Sequence, residues 1–561
     1  MVFFAQRRRF FRMSSAPVLV LNAKTKRESG RKTQLGNIQA AKMVADVIRT
    51  SLGPKAMHKM ILSMSGGIVI TNDGNVILRE LDVNHPSAKA VMDLSRAQDE
   101  EVGDGTTSVV VLAGELLNLV EPWLVKGLSP NVIIRGLKLA LQDALAHLKS
   151  IAIPVNRKNR QDLLDIVRSC MGTKFAVSFY PSFLSELALD AVLLVAQDGE
   201  EKDIDIKRYV RIEKIPGGKV SDCCTVLGVV LNKDVTHVQM SRRIENPRVV
   251  ILDCNLEYKK GENQITLEVT KTDQWTQIMQ QEEDYVKKMV EDIARMKPDL
   301  VCTEKGISDL AQHYLVQHNI SALRRLKKTD AQRLARACGA TIVSRPENLK
   351  ESDVGTGATL FEVKKIGDEY YSFINCSKSK ACTILLRGPG KDILNEVERN
   401  VQDALAVARN IIQEPLLVYG GGASEMSIAA KLTEKSKSIP GVVQFPYATV
   451  SFALEIIPHT LIQNCGTNVV RNLTNLRAKH AVGEGHYWGI DGQTGLVRDV
   501  REFHLYEPYS VKAQTLKTAI EAACMLLRID QILSGISKKN ASGQSSQTPQ
   551  DAADDSAAMM E

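Results

Sequence analysis

The sequence predicts a multidomain protein of mixed α and α/β type, with a mainly helical domain assembled from both chain ends and an α/β domain inserted between them. Three observations carry this expectation. Apolar residues recur at helical spacing over 36–149 and again over 392–532. Between 219 and 365, short β-rich runs alternate with helical segments. Glycine-rich and acidic stretches fall into two groups, 53–108 and 403–512, one on each side of that middle region. If both groups serve one site, the chain ends must meet.

Length and composition leave room for such a plan. A chain of 561 residues holds roughly two to four domains, and 44% hydrophobic with 24% charged residues is an ordinary globular mixture. Net charge is +7, but Arg7, Arg8, Arg9 and Arg12 contribute to it from an acid-free start, so the body is close to neutral and no nucleic-acid footprint is expected. No run of about 18 or more uncharged apolar residues occurs, so no membrane span is expected either. The basic, aromatic residues 1–13 have the composition of a transit peptide or membrane-surface arm; because Met13-Ser14-Ser15-Ala16 would serve as an ordinary start, they are read as a disordered extension. Ten cysteines lie scattered without any C-x-x-C pair, which suits neither zinc nor a dense disulfide frame. Cys376 and Cys382 are close enough to pair across a tight loop, although reduced thiols of a cytoplasmic protein are the expected state.

In chain order, Ile38, Ala41, Val44, Ala45, Ile48 and Leu52 give a buried helix with Asn37 as its N-cap, ended by Gly53-Pro54-Lys55. Residues 67–71 and 75–78 flank Asn72-Asp73-Gly74 and read as a hairpin. Residues 87–149 read as helical, broken at 101–108 and at 127–130. In the first break, Glu101-Val102-Gly103-Asp104-Gly105-Thr106-Thr107-Ser108 brackets a carboxylate with glycines and opens an apolar helix. A free helix N-terminus favours an anion, and Asp104 beside it makes sense if its oxygens hold Mg²⁺ that in turn holds phosphates. A Thr-capped helix start reached through a Gly turn is the alternative.

Helical pattern returns over 163–196 around Thr173-Lys174, and strands are expected from Ile204 to Ile212, ending at Pro216-Gly217-Gly218. In the middle region the expected strands are 248–252, 300–303, 320–323 and 340–343; the helices are 281–296, 306–316 and 330–338. No G-x-G-x-x-G is present, so a dinucleotide site is unsupported. Asn255 to Gln281 interrupts the alternation and is either a surface hairpin with its helix or a mobile projection. Arg324-Arg325-Leu326-Lys327-Lys328 is a solvated helix start or a face for an acidic client. After a strand at 381–386, a helix from 392 to 413 buries Leu394, Val397, Val401, Leu405 and Ala408, and places Asp403 beside that stripe. An acid there is either a solvated flank or a carboxylate facing a polar cleft. Gly420-Gly421-Gly422-Ala423-Ser424-Glu425 opens a helical region to 480. Tight turns follow at 488–495, then a helix over 511–532 and a disordered tail at 536–561.

With Leu52-Gly53-Pro54-Lys55, Thr71-Asn72-Asp73-Gly74, Gly103-Asp104-Gly105-Thr106-Thr107-Ser108, Leu386-Arg387-Gly388 and Gly420-Gly421-Gly422-Ala423-Ser424-Glu425 in this order, the sequence resembles a group II chaperonin subunit over residues 14–535. The resemblance implies an equatorial domain (14–153 and 411–535), a small intermediate domain (154–218 and 371–410) and an inserted apical domain (219–370) with a helical protrusion at 255–297. It implies ATP/ADP and Mg²⁺ as cofactors and paralogous subunits in a stacked double ring. Its clients would be non-native proteins such as actin and tubulin, with prefoldin a candidate partner. By the same resemblance Gly53, Gly105, Thr106, Thr107, Ser108, Thr173, Lys174, Gly421, Gly492, Gln493, Glu507 and Lys512 bind nucleotide, Asp104 holds the metal, and Asp403 orients the attacking water. Two residues depart from the family pattern. Ser63 stands where an aspartate taken to lie near that water is usual, which suggests slow hydrolysis and, as an alternative, a ring subunit that binds ATP structurally. Tyr419 replaces a proline before the three glycines, which is expected to loosen that loop.

Overall fold

The computed structural model describes residues 26–62, 66–157, 159–172, 181–196, 204–258, 272–481 and 485–534. Three hydrophobic cores organise them. The first draws only on the chain ends, from Ile38 to Leu148 and from Val418 to Leu527. At its centre lies the helix Thr106–Val125, buried on nearly every side through Val109, Val110, Val111, Leu112, Leu116 and Leu117. By length and composition it could cross a membrane. Here it packs against Arg31–Arg49, so closely that a Cβ on Gly114 would stand 2.4 Å from that of Ala45. A glycine inside a helix costs about 1 kcal/mol, and this backbone approach is what it permits.

The second core, from Val229 to Ala381, carries an all-parallel four-stranded sheet in the order Ser321–Leu323, Leu300–Thr303, Val249–Leu252, Ile342–Val343. The helices Thr272–Ala294, Asp309–Gln317 and Lys328–Cys338 connect these strands in the pattern expected of an α/β unit. The third core joins Leu163 to Val210 with Cys382 to Leu417, and its spine is the helix Lys391–Gln413, called here the bridging helix. Its expected stripe, Leu394, Val397, Val401, Leu405 and Ala408, is buried. A six-stranded sheet runs between the second and third cores in the order Val210–Pro216, Cys382–Gly388, Cys224–Leu231, Glu369–Cys376, Ala358–Ile366, Arg243–Glu245. The sequence reading had not anticipated the Ala358–Ile366 and Glu369–Cys376 hairpin, and the expected limit between 370 and 371 falls inside its second strand.

Several local expectations are corrected. The first helix starts at Arg31, after Gly30 at φ 77°, so Asn37 lies inside it and is not its cap; the Asn37 Oδ1 instead accepts from Ser87 Oγ at 2.7 Å. The strand Ile68–Thr71 pairs with Lys59–Leu62, not with residues 75–78. Those form the helix Gly74–Glu80, because the Asp73 carboxylate caps it by accepting from the N–H groups of Asn75 and Val76. Residues Ile206–Tyr209 are a short helix, and the strand begins only at Val210. The turns near 488–495 are flanked by paired strands, Trp488–Ile490 and Val497–Asp499. The last helix ends at Leu527, and Gln531–Ser534 pairs with Lys26–Ser29. Cys376 faces Cys338, Sγ to Sγ at 3.6 Å, and not Cys382, whose thiol contacts the Ala191 carbonyl. All ten cysteines are free. Tyr419 is buried: it closes the strand Leu416–Tyr419 and its ring lies tilted against that of Tyr506, 5.7 Å between centroids. Residues 1–13, 536–561, Ser63, Thr173, Lys174 and residues 259–271 of the expected protrusion lie outside the described residues.

Candidate functional site

A cavity of about 650 Å³ opens where the first and third cores meet, a volume in the range of small-molecule sites. Its walls include Gly53, Asp104, Gly105, Thr106, Thr107, Ser108, Gly421, Gly492, Gln493, Glu507 and Lys512. Residues from both ends of the sequence therefore share one cleft. Asp403 is not part of the lining.

On one wall the Pro86–Glu101 helix ends and the chain turns through Gly103, at φ 70°, into the helix Thr106–Val125. That helix has Gly105 as N-cap and no side-chain cap bond, so its first N–H groups and the positive end of its dipole are left to the cavity. Beside them, Asp104 Oδ1 accepts from Gly105 N at 2.7 Å, and Cys170 Sγ lies 3.7 Å from Oδ2. Gln98 fixes the turn from behind, its Nε2 donating to the Asp104 carbonyl at 3.0 Å and to Thr515 Oγ1 at 3.2 Å. One carboxylate with Thr and Ser hydroxyls is a hard-oxygen donor set that suits Mg²⁺ sharing its coordination with waters and phosphates. No group of three or more His, Cys, Asp or Glu forms a ready-made metal cage among the described residues.

Three residues without a sequence-assigned site role stand here. Asp73, besides capping its helix, accepts from Thr106 Oγ1 at 3.1 Å, so a second carboxylate stands at the cradle whatever Ser63 contributes. Asp99 lies behind it, held by Asn75 at 2.9 Å; burial and then the charge of Asp73 push its carboxyl above the usual range. Asn72 lines the cavity with a buried amide oxygen that has no hydrogen-bond partner among the described residues. The Asn72-Asp73-Gly74 turn signal marked the place, but only the fold brings it to Thr106.

The opposite wall comes from the chain's last third. Gly421, at φ 63°, leaves only 2.7 Å between a would-be Cβ and the Ile490 carbonyl, so a side chain fits neither the conformation nor the space. Gly492 packs on Pro54, and Asp491 holds the turn by accepting from Gln493 N at 2.9 Å and Thr494 Oγ1 at 2.7 Å. Lys512 does not reach freely into the cavity: its Nζ lies 2.5 Å from Glu425 Oε1 and 2.8 Å from Glu507 Oε2. Burial opposes the charge on Lys512, and the two carboxylates overcome this and raise its pKa. Burial works against Glu425 as well, but Lys512 holds it below the usual carboxylate range. Burial raises Glu507; Lys512 pulls it back, while Glu425 and Asp104 add to the rise. Two acids share one ammonium, and Glu507 retains its proton the more readily.

The third side is the end of the helix Arg160–Met171, where Ser169 Oγ donates to the His504 carbonyl at 3.1 Å. The bridging helix closes the floor: Val407 lines the cavity, and Asp403, partly exposed, lies one turn earlier on the same face. Asp403 does not form part of the cavity wall.

A helical body built from both chain ends, an inserted α/β unit and a cavity between the first and third cores define a chaperonin, and the chain belongs to the TCP-1/cpn60 chaperonin family, whose sequence pattern matches residues 44–537. Among characterised proteins it is similar to T-complex protein 1 subunit gamma of Homo sapiens and of Bos taurus, each 57% identical over 529 residues that cover 94% of this chain and 97% of the relative. The Arabidopsis thaliana protein of that name is 55% identical over 538 residues, covering 95% and 97%.

Proposed function

We propose that this chaperonin-family chain is an ATP-dependent chaperone subunit of a cytoplasmic hetero-oligomeric double ring, in which ATP binding and hydrolysis drive closure around non-native proteins, actin and tubulin among them. Prefoldin is the proposed donor of clients. The first core corresponds to the equatorial domain, the third to the intermediate domain and the second to the apical domain. The observation that carries the reading is the shared cavity, which gathers the cradle of 104–108, Gly53 and Gly421 from distant parts of the chain.

When bound, Mg²⁺ would supply charge neutralisation at the phosphates, held by Asp104 with the cradle hydroxyls. The free N–H groups at Thr106 to Ser108 bind phosphate oxygens. Gly421, Gly492 and Gln493 form the base and ribose side, and the Glu425–Lys512–Glu507 trio anchors that wall. Thr173 and Lys174 sense the terminal phosphate. Asp403 orients the attacking water from the bridging helix, so hydrolysis waits on the position of that helix. In Asp403→Ala, nucleotide remains bound and turnover stops; equal turnover in variant and parent rejects the assignment.

The alternative, a subunit that binds ATP structurally, was motivated by Ser63. Asp73 at Thr106 weighs against it. Ser63→Asp would raise the single-turnover rate if Ser63 were limiting, and an unchanged rate is the expected result.

A further inference from the structure

The bridging helix does more than pass near the cradle; it grips it. Asn410, 4% exposed, donates from Nδ2 to the Val102 carbonyl at 2.8 Å. Arg409 Nη2 donates to the Glu101 carbonyl at 2.7 Å, and its guanidinium also donates to Asn410 Oδ1 at 3.2 Å, so the two side chains interlock. One turn earlier, Ala406 packs against Gly103 so tightly that a Cβ there would stand 2.3 Å from its own. Glu101 and Val102 end the helix Pro86–Glu101, and their carbonyls have no partner within it. The next two residues are Gly103 and Asp104. Residues 403, 406, 407 and 410 follow the i, i+3, i+4, i+7 spacing of one helix face. That face carries in turn the water-orienting acid, the contact with Gly103, a cavity-lining valine and the clasp on Val102.

We propose that Arg409 and Asn410 are positioning residues that set the register of the Asp403-bearing helix against the Asp104 turn, so that a shift of the helix is passed to that turn. The proposal rests on the nucleotide reading above. Gln98 secures the same turn from the opposite side through the Asp104 carbonyl. Asp104 is therefore clamped between the Pro86–Glu101 helix and the bridging helix. A shift of the bridging helix pulls on Glu101 and Val102 and reaches Asp104 across a single intervening residue, Gly103. A mere cap on helix-end carbonyls would stabilise the fold without affecting the chemistry, whereas a register device acts on turnover and leaves affinity alone, because the N–H groups of Thr106 to Ser108 remain in place.

The test uses the assembly purified through a tag on this chain. Photocrosslinking with an azido-ATP reports nucleotide bound to this chain, and the ratio of ADP to ATP trapped on it during one turnover reports hydrolysis. Asn410→Ala is expected to bind within about twofold of the parent and to convert at least about tenfold more slowly, the scale of loss from a small misplacement of reacting groups. Arg409→Lys, which keeps the charge and one donor, gives a smaller loss in the same direction and serves if Asn410→Ala fails to assemble. Lys214→Ala removes the bonds from Lys214 to Asn395 and Glu398 on the same helix; it lowers Tm and keeps the parental conversion rate. Conversion at the parental rate in both clasp variants overturns the proposal, as does a loss of binding that parallels the loss of conversion. A parent chain that traps no nucleotide refutes the nucleotide reading itself, a result distinct from either.

Discussion

Asp73 has two separable tasks. Its carboxylate caps the helix Gly74–Glu80 and also meets Thr106 at the start of the cradle helix. Asparagine is as good an N-cap as aspartate, whereas alanine loses about 0.5–2 kcal/mol at such a position. Asp73→Asn should therefore keep the parental Tm but slow hydrolysis, because the cap survives and the charge does not. Asp73→Ala should lose both. If Asp73→Asn hydrolyses ATP as fast as the parent, the carboxylate is a cap and nothing more. Its second task could not be read from the sequence: Asp73 and Thr106 are 33 positions apart and meet only after the short helix and its successor fold.

At the scale of elements, the wall strand Trp488–Ile490 depends on the helix Val469–Ala481 through His480, whose Nε2 lies 2.8 Å from the Trp488 carbonyl. A carbonyl only accepts, so Nε2 carries the proton. Burial, more than any other influence, pushes this imidazole below its usual pKa of 6.5. The unfolded chain then binds more protons than the native one as pH falls below 6.5, so this contribution to stability is complete above that value and is lost on acidification. Tm measured from pH 8 down to 5 should fall less steeply in His480→Gln, which keeps a donor and cannot titrate. Identical slopes would remove His480 from this role.

The same scale shows what the sequence could reveal. The parallel strands at 249–252, 300–303, 321–323 and 342–343 were legible because buried parallel strands are short, continuous apolar runs. The bridging helix was legible from its long 3.6-residue stripe. Gly74–Glu80 was not, since seven residues are too few to show a period and Asn72-Asp73-Gly74 signals a turn and a helix cap equally well. The cavity residues that the sequence did suggest, such as Gly53, Asp104 and Gly421, lie in motifs with their own glycine or hydroxyl signature. Asp73 and the Arg409–Asn410 clasp were not suggested, because their partners are backbone carbonyls or hydroxyls from other segments, and no local pattern announces such a contact.

At the scale of the whole molecule, two of the two-stranded sheets are formed by segments near the chain ends. Among the described residues, Lys59–Leu62 pairs only with Ile68–Thr71, and Lys26–Ser29 only with Gln531–Ser534. Two-stranded sheets are marginal by themselves, and their open edges are templates for further strands. The first of them also exposes Met60 at 71%, Leu62 at 74% and Ile68 at 55%, apolar surface that a lone subunit would leave in water. In the proposed ring, neighbouring subunits cover this surface and extend these edges. Native mass spectrometry of the chain purified from its own cells should then show a hetero-oligomer of related subunits. Met60→Lys with Leu62→Lys should reduce the fraction assembled while leaving the Tm of the unassembled chain nearly unchanged, because neither residue belongs to the first core. A monomer as the sole species would count against the ring, and an equal loss of Tm would show that the hairpin serves the fold and not the assembly.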